Sequence, residues 1–188
     1  PKIRLLYVKS FSFYQFNFQS FIKILADYSL STSGASLLYN WHYKQKKTDP
    51  CTLILALATQ HFLKTHFNFD LPKIISIHES TDMTVKFEML LKDGQSIETV
   101  LIPFQSKYTV CLSTQVGCAM NCSFCFTGAQ GLKRNLTTEE IVGQFIAADR
   151  WLLKNRPDDH LLKNIVYMGQ GEPLHNFDAV KTASEIFL

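Results

Sequence analysis

Three of the chain's five cysteines, Cys118, Cys122 and Cys125, fall within eight residues, on a loop between a segment that reads as a strand and one that reads as a helix. This arrangement constrains the fold more than any other feature. Tyr108 to Leu112 alternates apolar and polar residues as a strand does, the loop runs to about Leu136, a helix follows to about Asn155, and Asn164 to Met168 reads as a second strand. Strand, crossover helix and strand make a βαβ unit, which calls for a parallel pair and an α/β fold. The helix start is well marked. Thr137 can cap it while Glu140, three residues on, reaches back to the cap amide. Ile141, Val142, Phe145, Ile146 and Leu152 then form one apolar face. Another helix is expected from about Phe177.

The residues before this unit divide in two. Gly34 to Lys47 and Thr52 to Phe67 place apolar residues every three to four positions, as amphipathic helices require, with Asp49-Pro50 separating them. The opening run Phe11-Ser-Phe-Tyr-Gln-Phe-Asn-Phe18 alternates aromatics and reads ambiguously. After Pro72, short strands are expected at Ile74 to His78, Val85 to Leu91 and Ser96 to Ile102, the last two joined by Asp93-Gly94, a hairpin signal. The expected organisation is a helical accessory domain over 1–72, a β-hairpin connector over 73–104 and an α/β core over 105–188. Pro1 in place of Met, and Leu188 inside a helical pattern, make both ends read as cut.

With 46% apolar and 19% charged residues, the chain reads as one or two globular domains rather than a disordered segment. The apolar run from Leu53 to Leu57 falls far short of the roughly 20 residues of a membrane span, and no secretion signal is visible. The expectation is a cytoplasmic protein with no membrane partner. Residues 1–50 carry seven Lys or Arg against Asp27 and Asp49, a net of +5 that leaves −2 for the remainder. That end suits a polyanion. Within it, Trp41-His-Tyr-Lys44-Gln-Lys46-Lys47 mixes aromatic rings with positive charge, as base stacking combined with phosphate binding would require; a solvated helix end is the plainer reading.

Five cysteines in a reducing compartment point to metal or redox chemistry rather than a disulfide framework. In Cys118-Ala-Met-Asn-Cys122-Ser-Phe-Cys125, three thiolates on one loop can hold three irons of a cubane cluster. Such clusters usually take four cysteines, so the fourth iron would stay open to a chelating substrate such as S-adenosylmethionine (SAM). The alternative is a zinc site completed by Cys111 or a histidine. Further on, Gly169-Gln-Gly171-Glu172-Pro173 follows a strand, where glycines let the backbone approach a ligand closely; alone, it would read as a turn.

Three blocks taken in order, Cys111-Leu-Ser-Thr-Gln-Val-Gly-Cys118 through Cys125, Gly131-Leu-Lys-Arg-Asn-Leu136, and Met168-Gly-Gln-Gly-Glu-Pro-Leu174, resemble the radical SAM rRNA adenine methyltransferases of the RlmN/Cfr type. The resemblance runs from about Gly34 to the chain end and leaves residues 1–19 outside. It implies the first part of a partial (β/α)6 radical SAM barrel and a [4Fe-4S] cluster on Cys118, Cys122 and Cys125. It assigns the methionyl amino group of SAM to Gly171 and Glu172. Cys111 matches the cysteine that resolves a covalent RNA intermediate by disulfide formation, and Glu98 matches the proton acceptor. The family's methyl-carrying cysteine has no counterpart here, and Cys51 matches nothing and reads as core. The resemblance further implies methylation of adenosine C2 in 23S rRNA, with tRNA as a second substrate, C8 as the close alternative and a low-potential electron donor such as flavodoxin. Pro173 inclines the reading toward C2. A rival from another class is a non-catalytic RNA-binding remnant that keeps a cluster or zinc.

Overall fold

The aromatic run after residue 10 becomes a strand, a tight turn and a helix in quick succession. In the computed structural model, which describes residues 11–46, 53, 55–157 and 161–188, the two-residue strand β1 (Phe11–Ser12) leads through a 3-10 turn into α1 (Phe18–Asp27). Asn17 caps α1 by accepting the Ser20 amide at 2.8 Å, and Ser29 in the left-handed region ends it. α2 (Gly34–Tyr39) widens into a π-helical turn over Asn40–Lys44, and α3 (Leu57–His66) runs into β2 (Phe67–Asn68), which pairs in parallel with β1. The expected break at Asp49-Pro50, the start of the second helix at Thr52, and Lys47 and Cys51 lie outside the described residues.

The chain divides into two compact units, Pro1–Asp70 and Leu71–Leu188. The first unit is built on rings. Phe13 is fully buried and meets Phe21, Tyr39, His42 and Phe69 with centroids 5.0 to 5.4 Å apart.

The second unit is a five-stranded sheet in the order β3-β4-β5-β6-β9 with helices packed on it. Its strands are β3 (Lys73–Glu79), β4 (Val85–Leu90), β5 (Ser96–Phe104), β6 (Lys107–Cys111) and, after the loop elements, β9 (Leu162–Val166). The first four run antiparallel and β6 pairs with β9 in parallel. The expected hairpin forms at Asp93-Gly94, with Gly94 at φ 84° and the Gln95 amide held by Asp93 Oδ1. β5 then turns into β6 through Gln105-Ser106, so the expected connector and the expected core share one sheet. Between β6 and β9 lie β7 (Gln115–Val116), α4 (Phe126–Ala129), β8 (Arg134–Asn135) and α5 (Thr138–Asn155); α6 (Phe177–Phe187) closes the unit. The Thr137 amide donates to Glu140 Oε2 at 2.9 Å, as the start signal requires.

Alternation along the strands separates two faces. Val85, Phe87, Met89, Ile97, Thr99, Leu101 and Val110 are buried on the side that α5 covers, where Trp151 meets Phe87 at 5.2 Å and Gln144 reaches Thr99. Glu98 and Val100 stand on the other face, with Cys111 directly opposite Val100 in register. Phe145, on the apolar side of α5, meets Phe187 of α6 with ring centroids 4.9 Å apart. Among the described residues no helix is long and apolar enough to cross a membrane.

Candidate functional site at the end of the parallel strands

Where β6 and β9 end, their continuations stay fastened to each other. The Leu112 amide donates to Val166 O at 2.8 Å, the Gly169 amide to Leu112 O at 3.1 Å, and the Thr114 amide to Gln170 O at 2.8 Å. Gln115 Oε1 accepts the Glu172 amide at 2.9 Å, while its amide nitrogen donates to Asn135 Oδ1 at 2.7 Å. Gly171 is required here: at φ 97°, a Cβ would sit 2.5 Å from the Gln115 Cβ. Asn176 is buried and donates to Thr114 O and Leu136 O, both at 2.8 Å. His175 is exposed. The segment Leu112–Gln115 thus lies between the Gly-Gln-Gly-Glu turn and the strand that leaves the cysteine loop.

That loop is folded tightly at its base. Gly117 at φ 75° has no room for a side chain, since a Cβ would lie 1.9 Å from Gly131 O. Cys118 is buried beside it, Cys122 is exposed and Cys125 is half-buried at the start of α4, its amide donating to Cys122 O at 3.0 Å. At its exit, Arg134 makes a paired bond to Glu140 (2.8 and 2.9 Å) and a third to Asp93 of the hairpin turn at 2.7 Å. These carboxylates push the Arg134 pKa up, and the Arg134 bond, followed by the Gln95 amide, holds Asp93 below the usual carboxylate range.

Cys111 and Glu98 share the sheet face away from α5, with Cys111 directly opposite Val100 and Glu98 two residues before it on β5. Cys111 is 8% exposed. Burial pushes its thiol pKa up, partly offset by a hydrogen bond from the Met168 backbone. Glu98 is 44% exposed and pairs with Lys86 at 2.9 Å, a contact worth at most about 1 kcal/mol at a surface. Glu98 also borders a cavity of about 750 Å³ whose lining includes Glu88, Gln95, Gly117, Lys133 and Gln170. Among the described residues that line it, there is no cysteine.

The donor set suits iron and sulfide, since three thiolates on one loop are soft ligands. The loop carries them on adjacent turns, yet no group of three His, Cys, Asp or Glu side chains among the described residues is gathered closely enough to hold a metal ion. Binding a cation there would require the thiols to lose their protons.

Two further differences from the sequence reading follow. Trp41 and His42 are 3% and 2% exposed, so they belong to the core of the first unit and are not available to stack on bases. The π-helical turn brings both inward. Sequence reasoning also passed over Gln144, Ser113 and Gln115, all fully buried. For Gln144 there was a signal: it lies three residues after Ile141 and four before Ala148, inside the apolar stripe of α5.

No family model matches the chain. A dual-specificity RNA methyltransferase RlmN of Bdellovibrio bacteriovorus is 44% identical over 147 residues, which cover 78% of this chain and 36% of that protein. The RlmN of Ruegeria pomeroyi is 39% identical over 175 residues, 87% of this chain and 44% of that protein. A crystal structure of a radical SAM methyltransferase from Sphaerobacter thermophilus superimposes with a TM-score of 0.81 at 35% identity, covering 94% of this chain and 51% of that one. The chain therefore spans about half the length of these proteins, or less. Over the stretch that it shares with them, its cysteine loop, Gly-Gln-Gly-Glu turn and sheet make it a member of the RlmN/Cfr family of radical SAM methyltransferases.

Proposed function

We propose that this chain carries the SAM-binding and RNA-releasing residues of an enzyme that methylates C2 of an adenosine in 23S rRNA, with tRNA as a second substrate. The observation that carries the reading is the fastening of Leu112–Gln115 to Gly169–Glu172. It brings the end of the Cys111 strand, the root of the cysteine loop and the Gly-Gln-Gly-Glu turn to one end of the sheet. Cys118, Cys122 and Cys125 would hold a [4Fe-4S] cluster, with Gly171 and Glu172 holding the SAM amino group. When bound, cluster and SAM supply the one-electron chemistry that an electron-poor adenine carbon needs, the electron coming from a donor such as flavodoxin.

The remaining roles belong to the chain's own side chains. Glu98, at the edge of a polar cavity, would accept the proton leaving the adenine carbon. Cys111 would attack, as the thiolate, the sulfur of the cysteine that carries the RNA. The bond from that sulfur to the methylene carbon breaks, the carbon keeps the electron pair and takes up a proton as the methyl group, and the two sulfurs are left as a disulfide. Burial pushes the Cys111 thiol pKa up and favours the protonated form, so the attack requires the thiol to give up its proton. The methyl-carrying cysteine has no counterpart in these 188 residues, so the reaction needs the complementary part of the enzyme. The cytoplasm, where rRNA and reductant are available, is the proposed location.

The test is Cys111→Ala in an active enzyme that contains this segment. Radical addition does not use the Cys111 sulfur, so the variant should accumulate RNA covalently attached to protein, seen as a SAM-dependent, denaturant-resistant band of labelled RNA. Normal release of methylated RNA by the variant would reject the role.

A further inference from the structure

Polar groups in the middle of a helix's buried face are costly unless every hydrogen bond is made. Gln144 is fully buried at such a place, and its amide is saturated. Oε1 accepts from Thr99 Oγ1 and from the Ser113 amide, both at 2.9 Å. Nε2 donates to Ser113 O at 3.0 Å and to Glu140 O at 3.2 Å. Ser113 lies just beyond the end of β6, and the Gln144 side chain bonds both its N–H and its C=O, as a neighbouring strand would. With both backbone groups of Ser113 held by Gln144, its hydroxyl makes two bonds of its own. It donates to Glu98 O at 2.6 Å and accepts from the Gln170 amide at 2.9 Å.

We infer that Gln144 and Ser113 are positioning residues that set the separation between the Glu98 strand and the Gly169–Glu172 turn. The inference rests on the SAM-site reading given above. One hydroxyl bridges the backbone of the proposed proton acceptor and the residue before the proposed SAM-holding pair. Packing alone does not explain the arrangement. An apolar residue at 144 would fill the same space, but it would leave Ser113 N, Ser113 O and Thr99 Oγ1 without these bonds and release the bridge. Loss of the bridge should loosen the Gly169–Glu172 turn while the zipper from Leu112 to Gln115 and the sheet remain.

The experiment uses this chain after anaerobic reconstitution with iron and sulfide, and compares wild type with Ser113→Ala and Ser113→Thr. Three quantities are read: the SAM dissociation constant by equilibrium dialysis, hydrogen exchange at the Gln170 amide, and the melting temperature. Losing one hydrogen bond to the turn should weaken SAM binding about tenfold and speed exchange at Gln170 by a similar factor in the Ala variant, with recovery in the Thr variant, which keeps the hydroxyl. Should Ser113→Ala fail to fold, Ser113→Cys, which keeps a weaker acceptor in a similar volume, should show the same changes at smaller size. A Ser113→Ala protein that melts lower but binds SAM as wild type does would reduce the pair to a structural role and overturn the inference. Wild-type protein that takes up iron and sulfide but binds no SAM would overturn the SAM-site reading itself.

Discussion

The two units of this chain fill their interiors by opposite means. In Pro1–Asp70 the interior is aromatic: Phe13, Tyr14, Phe21, Trp41, Phe62 and Phe67 are buried, and Phe67 packs against the rings of Phe11, Phe16, Phe21 and Phe62 at 5.7 to 5.8 Å. In Leu71–Leu188 an apolar layer lies between sheet and α5, but the region beneath the proposed site is polar. Ser113, Thr114, Gln115, Gln144 and Asn176 are buried there and joined by hydrogen bonds. Ring packing depends on volume and has weak directional demands. A buried polar network depends on direction, and so it holds particular atoms in place. The first unit needs to be solid; the second needs to be exact in position around its loops.

That contrast is open to direct attack. The largest effect is expected from Phe13→Ala, which removes the ring at the centre of the first unit and should cost about 3–5 kcal/mol. The chain's two tryptophans, Trp41 and Trp151, lie one in each unit, so variants keeping a single tryptophan report each unit separately. The Trp41 transition should fall to lower denaturant concentration and the Trp151 transition should hold. If both move together, the units do not melt independently and the comparison fails.

A middle-sized effect should come from Asn176→Ala, which strands the Leu136 carbonyl and leaves Thr114 O with the Leu136 amide alone, and should cost about 1–3 kcal/mol in the second unit. Asn176→Leu, with similar bulk and no donor, sharpens the point. If direction rules here, Leu is no better than Ala in a Trp151-monitored melt; if volume rules, Leu recovers most of the loss.

The smallest effect concerns the hairpin tether. Because Arg134 lowers the Asp93 pKa, the native state binds a proton there less readily than the unfolded chain does. The stabilisation is therefore complete above the ordinary carboxylate value of about 4 and is lost as pH falls through the lower native value. Asp93 is exposed and its contribution should be slight. A pH series of melting temperatures should show wild type converging on Asp93→Asn below about pH 4. Curves that stay parallel through that range would show that the tether does not hold the hairpin to the loop exit.

Much of the molecule is legible before folding because the signals are local. The hairpin at Asp93-Gly94, the Thr137 and Glu140 start of α5, the strands on either side of the cysteine loop and the helix from Phe177 all follow from periodicity and short-range capping, and the structure has each of them within a few residues. Alternation along β6 sets Cys111 on the face away from Val110, opposite Val100. The cysteine spacing and the three ordered motifs led to the family. Where the sequence reading went astray, a neighbour distant in the chain decided the outcome. Trp41 and His42 look like a nucleic-acid surface beside Lys44, but the π-helical turn and the ring of Phe13 take His42 into the core.

By itself, the sequence determined the class of fold, the order of its elements, the loop that carries three thiols and the glycines that no other residue can replace. Those depend on residues a few positions apart. Only the tertiary structure decided that Gln144 would serve Ser113 across 31 positions, and Asn176 would serve Thr114 across 62. A buried hydrogen bond needs both partners within about 3 Å and in line. No pattern along the chain records that meeting until the strands and helices have packed.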